Sequence, residues 1–181
     1  MAAVGGSAAC GRPDSRRETR WHYGKVANNV AKLATTIDAN GEVFLSSAYD
    51  TGCALLKLSG KGMQEVYFNR DMMNHYSSSV LLDGTLYGYS NAFLTAMDFN
   101  TGKQLWRNRS VGKGSVTYAD KRLYALGEDG MVGLVEPSRD AYKEISRFEY
   151  AKGSLPSWSP LVISDGKLYL RDQDNLTSYD I

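Results

Sequence analysis

The sequence is poor in the residues that build metal and redox centres. Two cysteines, Cys10 and Cys53, are too few for a disulfide framework or for a zinc site made of cysteine alone, and they leave the redox compartment open. Two histidines, His22 and His75, cannot supply an HExxH pair or a dense imidazole cluster, which excludes a metal held by several histidines. No apolar run approaches the roughly 20 residues that cross a bilayer as a helix. Twenty-one Lys and Arg against 20 Asp and Glu leave a net charge of +1, so no strong field draws in nucleic acid or an anionic membrane. The small residues before Cys10 have the look of a lipoprotein cleavage site. A basic start and an apolar stretch are both missing, however, and no working signal peptide is expected. Residues 1–15 read as a disordered or foreign leader. Helix signals are equally scarce: Asn28–Leu33 is the best stretch, and it is short and uncapped.

Glycine and aromatic residues are what the chain does have. Eighteen Gly, 12 Tyr, 5 Phe and 3 Trp in 181 residues predict short aromatic strands separated by tight turns, an all-β composition. One phrase returns four times, in Gly41–Leu45, Gly84–Gly88, Lys121–Ala125 and Gly166–Leu170, each time a turn residue followed by an aliphatic-aromatic pair. A spacing near 40 residues, filled with period-2 patterns and turns, suits the four-stranded antiparallel blade of a β-propeller better than a helical repeat. Leu82-Asp83-Gly84 and Ser164-Asp165-Gly166 carry the Asp-Gly chemistry of two-residue hairpins. The expected units are residues 33–70, 77–109, 114–150 and 158–181, the last stopping after three strands. Glu18–Tyr23 reads as a stray fourth strand of an earlier unit, available to complete that last blade and cover its edge.

Ala96-Met-Asp98-Phe-Asn-Thr101-Gly102-Lys-Gln-Leu-Trp106 matches the AxDxxTGxxxW phrase of repeats of the pyrroloquinoline-quinone (PQQ) type. Residues Trp21–Ile181 resemble the C-terminal portion of PQQ-binding-like β-propeller proteins of the BamB-like and polyvinyl-alcohol-dehydrogenase-like kind. Ser47–Leu58, Val111–Asp120 and Leu168–Asp174 carry that likeness. The resemblance implies four blades' worth of a seven- or eight-bladed ring, so that the chain is a fragment or two copies form a homodimer that closes a ring. It also implies that Asp98, Thr101 and Gly102 shape the turn between third and fourth strands, while Trp106 packs between blades. The implied location is periplasmic or extracytoplasmic, in a bacterium.

His75 and Tyr76 enter a first strand, where the resemblance places residues near the axial channel, and they are the first residues to consider for ligand binding. Lys113, Trp158 and Arg171 join them, as a cation at a blade entrance, a planar stacking surface and a second cation. For each a plainer reading stands beside this one: a turn histidine, a solvated lysine, a blade-capping tryptophan, a salt-bridged hairpin tip. Glu128-Asp129-Gly130 recurs as a turn and reads as turn chemistry. Gly112-Lys113-Gly114-Ser115 lacks the order of a phosphate loop, and Asp172 with Asp174 lacks the glycine and distant glutamate of a calcium loop. No GxSxG nucleophile elbow occurs, and no catalytic residue or metal ligand is assigned. Two functions follow: a non-catalytic scaffold that binds a protein or small molecule, or part of a quinoprotein alcohol dehydrogenase. The second would carry PQQ and calcium, for which the residues offer no complete set.

Overall fold

The computed structural model describes residues 2–4, 7–11, 19–30, 34–60, 62–150 and 153–181, with side chains from residue 21 onward. All regular structure among these residues is strand. Strands β1 (Ala2–Val4), β2 (Ser7–Gly11) and β3 (Thr19–Tyr23) form one sheet. The rest make four antiparallel meanders in chain order: β4 (Ile37–Ala39), β5 (Glu42–Ser47), β6 (Gly52–Ser59) and β7 (Gly62–Asn69); then β8 (Val80–Leu82), β9 (Thr85–Ser90), β10 (Phe93–Asp98) and β11 (Gln104–Asn108). The third is β12 (Gly114–Ala119), β13 (Arg122–Gly127), β14 (Met131–Glu136) and β15 (Lys143–Glu149), and the fourth is β16 (Val162–Ser164), β17 (Lys167–Asp172) and β18 (Asn175–Asp180).

Each meander starts with a hairpin whose turn needs left-handed backbone. Asn40-Gly41, Asp83-Gly84 and Asp165-Gly166 have φ of 53° and 77°, 46° and 74°, and 52° and 71°, the pattern of a two-residue type I′ turn. The third unit makes the same turn without glycine, with Asp120 at 45° and Lys121 at 57°. Second and third strands hold the apolar content because both their faces are covered. Strand β9 is buried at every position, and β10 at all but its first. Cores lie between consecutive sheets: Phe44, Leu55 and Met72 meet Leu86 and Met97, Tyr89 and Trp106 meet Leu123 and Val135, and Tyr124 and Val132 meet Leu168 and Leu170. Tyr23 and Val26 cover the other face of the first meander, against Val43, Leu45 and Leu56.

The PQQ-type phrase does what its residues allow. The Asp98 carboxylate accepts from the Thr101 amide at 2.8 Å and the Thr101 hydroxyl at 2.7 Å, pinning the turn into β11. Gly102, at φ 69°, has no room for a Cβ, which would stand 2.7 Å from the Tyr67 ring of the preceding sheet. Trp106 is 9% exposed, and its indole N–H donates to the Ser138 carbonyl, on the β14–β15 connection of the next unit, at 2.8 Å.

Two expectations at the chain's start find a different arrangement. Part of the leader region supplies β1 and β2, while residues 1, 5, 6 and 12–15 lie outside the described residues. The stray strand, seen as Thr19–Tyr23, pairs antiparallel with β2 and not with β18. A partner near in sequence costs less loop-closure entropy than the far end of the chain. The Asn28–Leu33 helix candidate is a bend over its last described residues, Asn29 and Val30, and residues 31–33 lie outside the described set.

Candidate functional site

In a four-stranded antiparallel meander, the turn between second and third strands lies at the same end as the crossover to the next unit. That end is where four of the five expected ligand-binding residues meet. His75 and Tyr76 stand on the crossover between β7 and β8, Lys113 precedes β12, and Trp158 lies between β15 and β16. The Tyr76 and Trp158 rings stack, with centroids 5.6 Å apart and planes 20° from parallel. His75 meets both edge-on, 5.6 Å from Tyr76 and 5.9 Å from Trp158. The Lys113 ammonium sits 5.6 Å from the Tyr76 centroid and 5.5 Å from that of Trp158, within cation–π range of both.

Two further residues complete the cluster. The Glu128 carboxylate accepts from the Trp158 indole N–H at 2.9 Å and lies 3.5 Å from Lys113 Nζ. Its role goes beyond the turn chemistry expected of Glu128-Asp129-Gly130, and the signal available was its place on a turn at the crossover end. Tyr49 shares a hydrogen bond of 2.5 Å with His75 Nε2, its ring centroid 5.1 Å from the imidazole. Tyr49 and Asp50 are consecutive non-glycine residues at φ of 56° and 57°, an uncommon conformation that turns the phenol toward His75. Burial and the Lys113 charge both hold the His75 pKa below its usual value, so the imidazole is neutral at pH 7. Among the described residues, the buried Nδ1 of His75 and the buried Tyr76 hydroxyl have no hydrogen-bond partner.

Arg171 is not in the cluster. It lies on β17, its side chain exposed and donating to the Gln173 carbonyl at 3.1 Å, while its own carbonyl accepts from the Ser157 hydroxyl at 2.8 Å. The adjacent Asp172 is 2% exposed and accepts from the Gly153 amide, so it braces the crossover that carries Trp158.

A cleft of about 480 Å³ opens over the cluster, walled by Tyr49, His75, Lys113 and Trp158 with Asp50 and Asn91 at its edge. Tyr76 also borders a second groove of about 630 Å³, lined by Ser77, Ser78 and Ser79 before β8 and by Ser115 and Thr117 on β12. Quinone and calcium do not fit these residues. PQQ carries three carboxylates, whereas the cluster's one lysine is already matched by Glu128, with Asp50 nearby. Among the described residues, no group of three or more His, Cys, Asp or Glu is placed to hold a metal ion.

The sheets and their order are those of a β-propeller fold. The solved structure of BamB from Moraxella catarrhalis matches with a TM-score of 0.66 at 15% identity, over 90% of this chain and 49% of that one. A europium-containing methanol dehydrogenase matches with a TM-score of 0.50 at 14% identity, over 63% of this chain and 24% of that one. A chain of an S. cerevisiae complex of dbp5 with nup159 matches with a TM-score of 0.59 at 16% identity, over 98% of this chain and 53% of that one. The chain thus spans about half the length of the BamB and yeast chains, and a quarter of the dehydrogenase. No family model and no curated protein matches.

Proposed function

We propose that this chain is a non-catalytic binding scaffold of BamB-like type, which presents its crossover end to a protein or small-molecule ligand in an extracytoplasmic compartment. The convergence of His75, Tyr76, Lys113 and Trp158, from three successive crossovers, is the observation that carries the reading. An exposed indole, 51% accessible, over a preformed aromatic floor suits recognition, since such rings give large contact area for little conformational entropy. The same groups suit catalysis poorly. Lys113 is tied to Glu128, His75 Nε2 is tied to Tyr49, and the other imidazole nitrogen is buried.

The test has two arms on the same protein. In a titration with a panel of short peptides and neutral metabolites followed by NMR, ligands that bind should shift the amides of residues 48–50, 75–76, 113 and 158, and W158A should lose those shifts. In a dye-linked assay with primary alcohols, added PQQ and calcium should give no reduction above the quinone-free blank. Quinone-dependent turnover that disappears in Lys113→Ala would sink the scaffold reading and revive the dehydrogenase one.

A further inference from the structure

The cleft over the aromatic cluster is bordered by two hairpin turns as well as by crossovers. Tyr49 and Asp50 stand on the turn between β5 and β6, and Asn91 on the turn between β9 and β10. Asn91, at φ 53°, shares the left-handed backbone of Tyr49 and Asp50. Asp50 and Asn91 are both exposed, and among the described residues neither side chain has a hydrogen-bond or ion-pair partner. Deeper in the cleft the charge is already matched, Lys113 by Glu128 at 3.5 Å. The rim thus offers one carboxylate and one amide above an interior that is neutral as a whole.

His75 lies between two exposed rings, 5.1 Å from Tyr49 and 5.9 Å from Trp158. Those rings are 46% and 51% accessible, so aromatic surface flanks the imidazole on both sides. The indole is held before any ligand arrives, by its N–H on Glu128 and by the Tyr76 ring stacked on it. Whichever partner carries the proton in the Tyr49–His75 bond, the phenol oxygen keeps capacity for a second hydrogen bond. A ligand that uses all of these groups has an uncharged body, one apolar face, and donors and acceptors around its edge. A pyranose ring has that form. Its C–H groups carry a slight positive charge and suit the negative face of an indole, while neighbouring hydroxyls donate to a carboxylate and accept from an amide. A cationic ligand would meet the Lys113 ammonium, and an anionic one the unmatched Asp50 carboxylate. The volume of about 480 Å³ lies within the roughly 300–1,000 Å³ of small-molecule sites.

We infer that this cleft binds a neutral hexopyranoside, with the sugar ring laid on Trp158 and its hydroxyls shared among Asp50, Asn91 and Tyr49. The inference rests on the reading of the crossover end as a recognition surface and narrows its ligand to a saccharide.

The probes are methyl β-D-glucopyranoside and methyl β-D-galactopyranoside, titrated into the full chain and followed by NMR. At least one should bind with a Kd on the order of 1 mM, ordinary for a ligand of this size. The Trp158 indole N–H resonance should shift saturably, and saturation transfer should mark the ring C–H protons of the sugar. Trp158→Ala should abolish binding, and Trp158→Tyr should retain part of it. Asp50→Asn, which suits the left-handed turn, should weaken binding about five-fold by turning a charge-assisted hydrogen bond into a neutral one. Neither sugar binding, or unchanged affinity in Trp158→Ala or in Asp50→Asn, would overturn the inference. If short peptides shift the amides of residues 48–50, 75–76, 113 and 158 while both sugars leave them unmoved, the saccharide falls and the scaffold reading stands. If sugars, peptides and the other neutral metabolites all leave them unmoved, both fall together.

Discussion

Trp106 and Trp158 make the same kind of hydrogen bond in opposite settings. One indole is 9% exposed, inside a seam, and donates to a backbone carbonyl; the other is 51% exposed, on a crossover, and donates to a carboxylate. Trp106 belongs to a repeated strand position that Tyr67 fills in the seam before it. Trp158 belongs to a connection that differs from unit to unit and sits among residues brought from three crossovers. The contrast separates a position fixed by packing from one the fold leaves open, because propeller strands are over-determined by packing while their connections are free to vary. Trp106→Ala should cost about 3–5 kcal/mol of stability, as for other buried aromatic truncations. Trp158→Ala should cost under about 1 kcal/mol, near the range for surface changes. Urea denaturation measures both, and equal losses would erase the distinction.

Asp98 offers the next largest effect, again on the seam side. Its carboxylate takes two hydrogen bonds from Thr101 and an ion pair from Arg139 at 2.5 Å, and it is only 9% exposed. Burial works against its charge, but the bonds from Arg139 and Thr101 outweigh burial and hold its pKa below the usual aspartate value. Such a carboxylate adds stability above its unfolded pKa, near 3.9, and loses it as pH falls through the lower folded value. Asp98→Asn should therefore cost about 1–3 kcal/mol at neutral pH, and the gap to wild type should narrow on acidification below pH 4. A gap that stays constant with pH would mean that the ion pair contributes nothing.

How much of this was legible depends on whether a position repeats. The AxDxxTGxxxW phrase announces Asp98, Thr101, Gly102 and Trp106 together, and each has a local physical reason to be what it is. The hairpin turns are legible for the same reason, since Asp-Gly states its own backbone requirement. Within the cluster, the histidine, tyrosine, lysine and tryptophan could be named from their places before first strands, because the topology sends all crossovers to one end. Tyr49 and Glu128 carry only a weaker signal, a turn at that same end, and the folded arrangement alone aims them at His75 and Lys113. Arg171 stands outside the cluster because, near the end of β17 and just before its turn, its exposed side chain folds back to the Gln173 carbonyl.

The third unit makes a smaller exception that the comparison of units also predicts. Its first hairpin turns through Asp120-Lys121, where the other three units have Asn-Gly or Asp-Gly. Lys121 at φ 57° occupies the place of Gly41, Gly84 and Gly166. Around those glycines there is open space for a side chain, so the backbone angle alone distinguishes them from lysine. Lys121→Gly should stabilise the protein by roughly 0.5–1 kcal/mol, the gain from relaxing a left-handed residue less the added entropy of the unfolded glycine. Thermal denaturation reads it, and a loss of stability would show that the lysine side chain earns its place by contacts on the surface.

The smallest effect lies in the crossover cluster and concerns His75 alone. Burial and the facing Lys113 ammonium lower its pKa, against the opposing pull of Glu128, while the Tyr49 hydroxyl occupies Nε2. Because the unfolded imidazole takes up its proton first, near pH 6.5, the native state binds fewer protons through the window just below that value. The contribution of His75 to stability is thus present above the ordinary histidine pKa and is lost as pH falls through the depressed one. His75→Gln should flatten the stability profile between neutral and mildly acidic pH, leaving the steeper Asp98-dependent loss below pH 4 intact. If the slope near pH 6 survives the substitution, another group carries it, and the imidazole is not the titrating centre of this cluster.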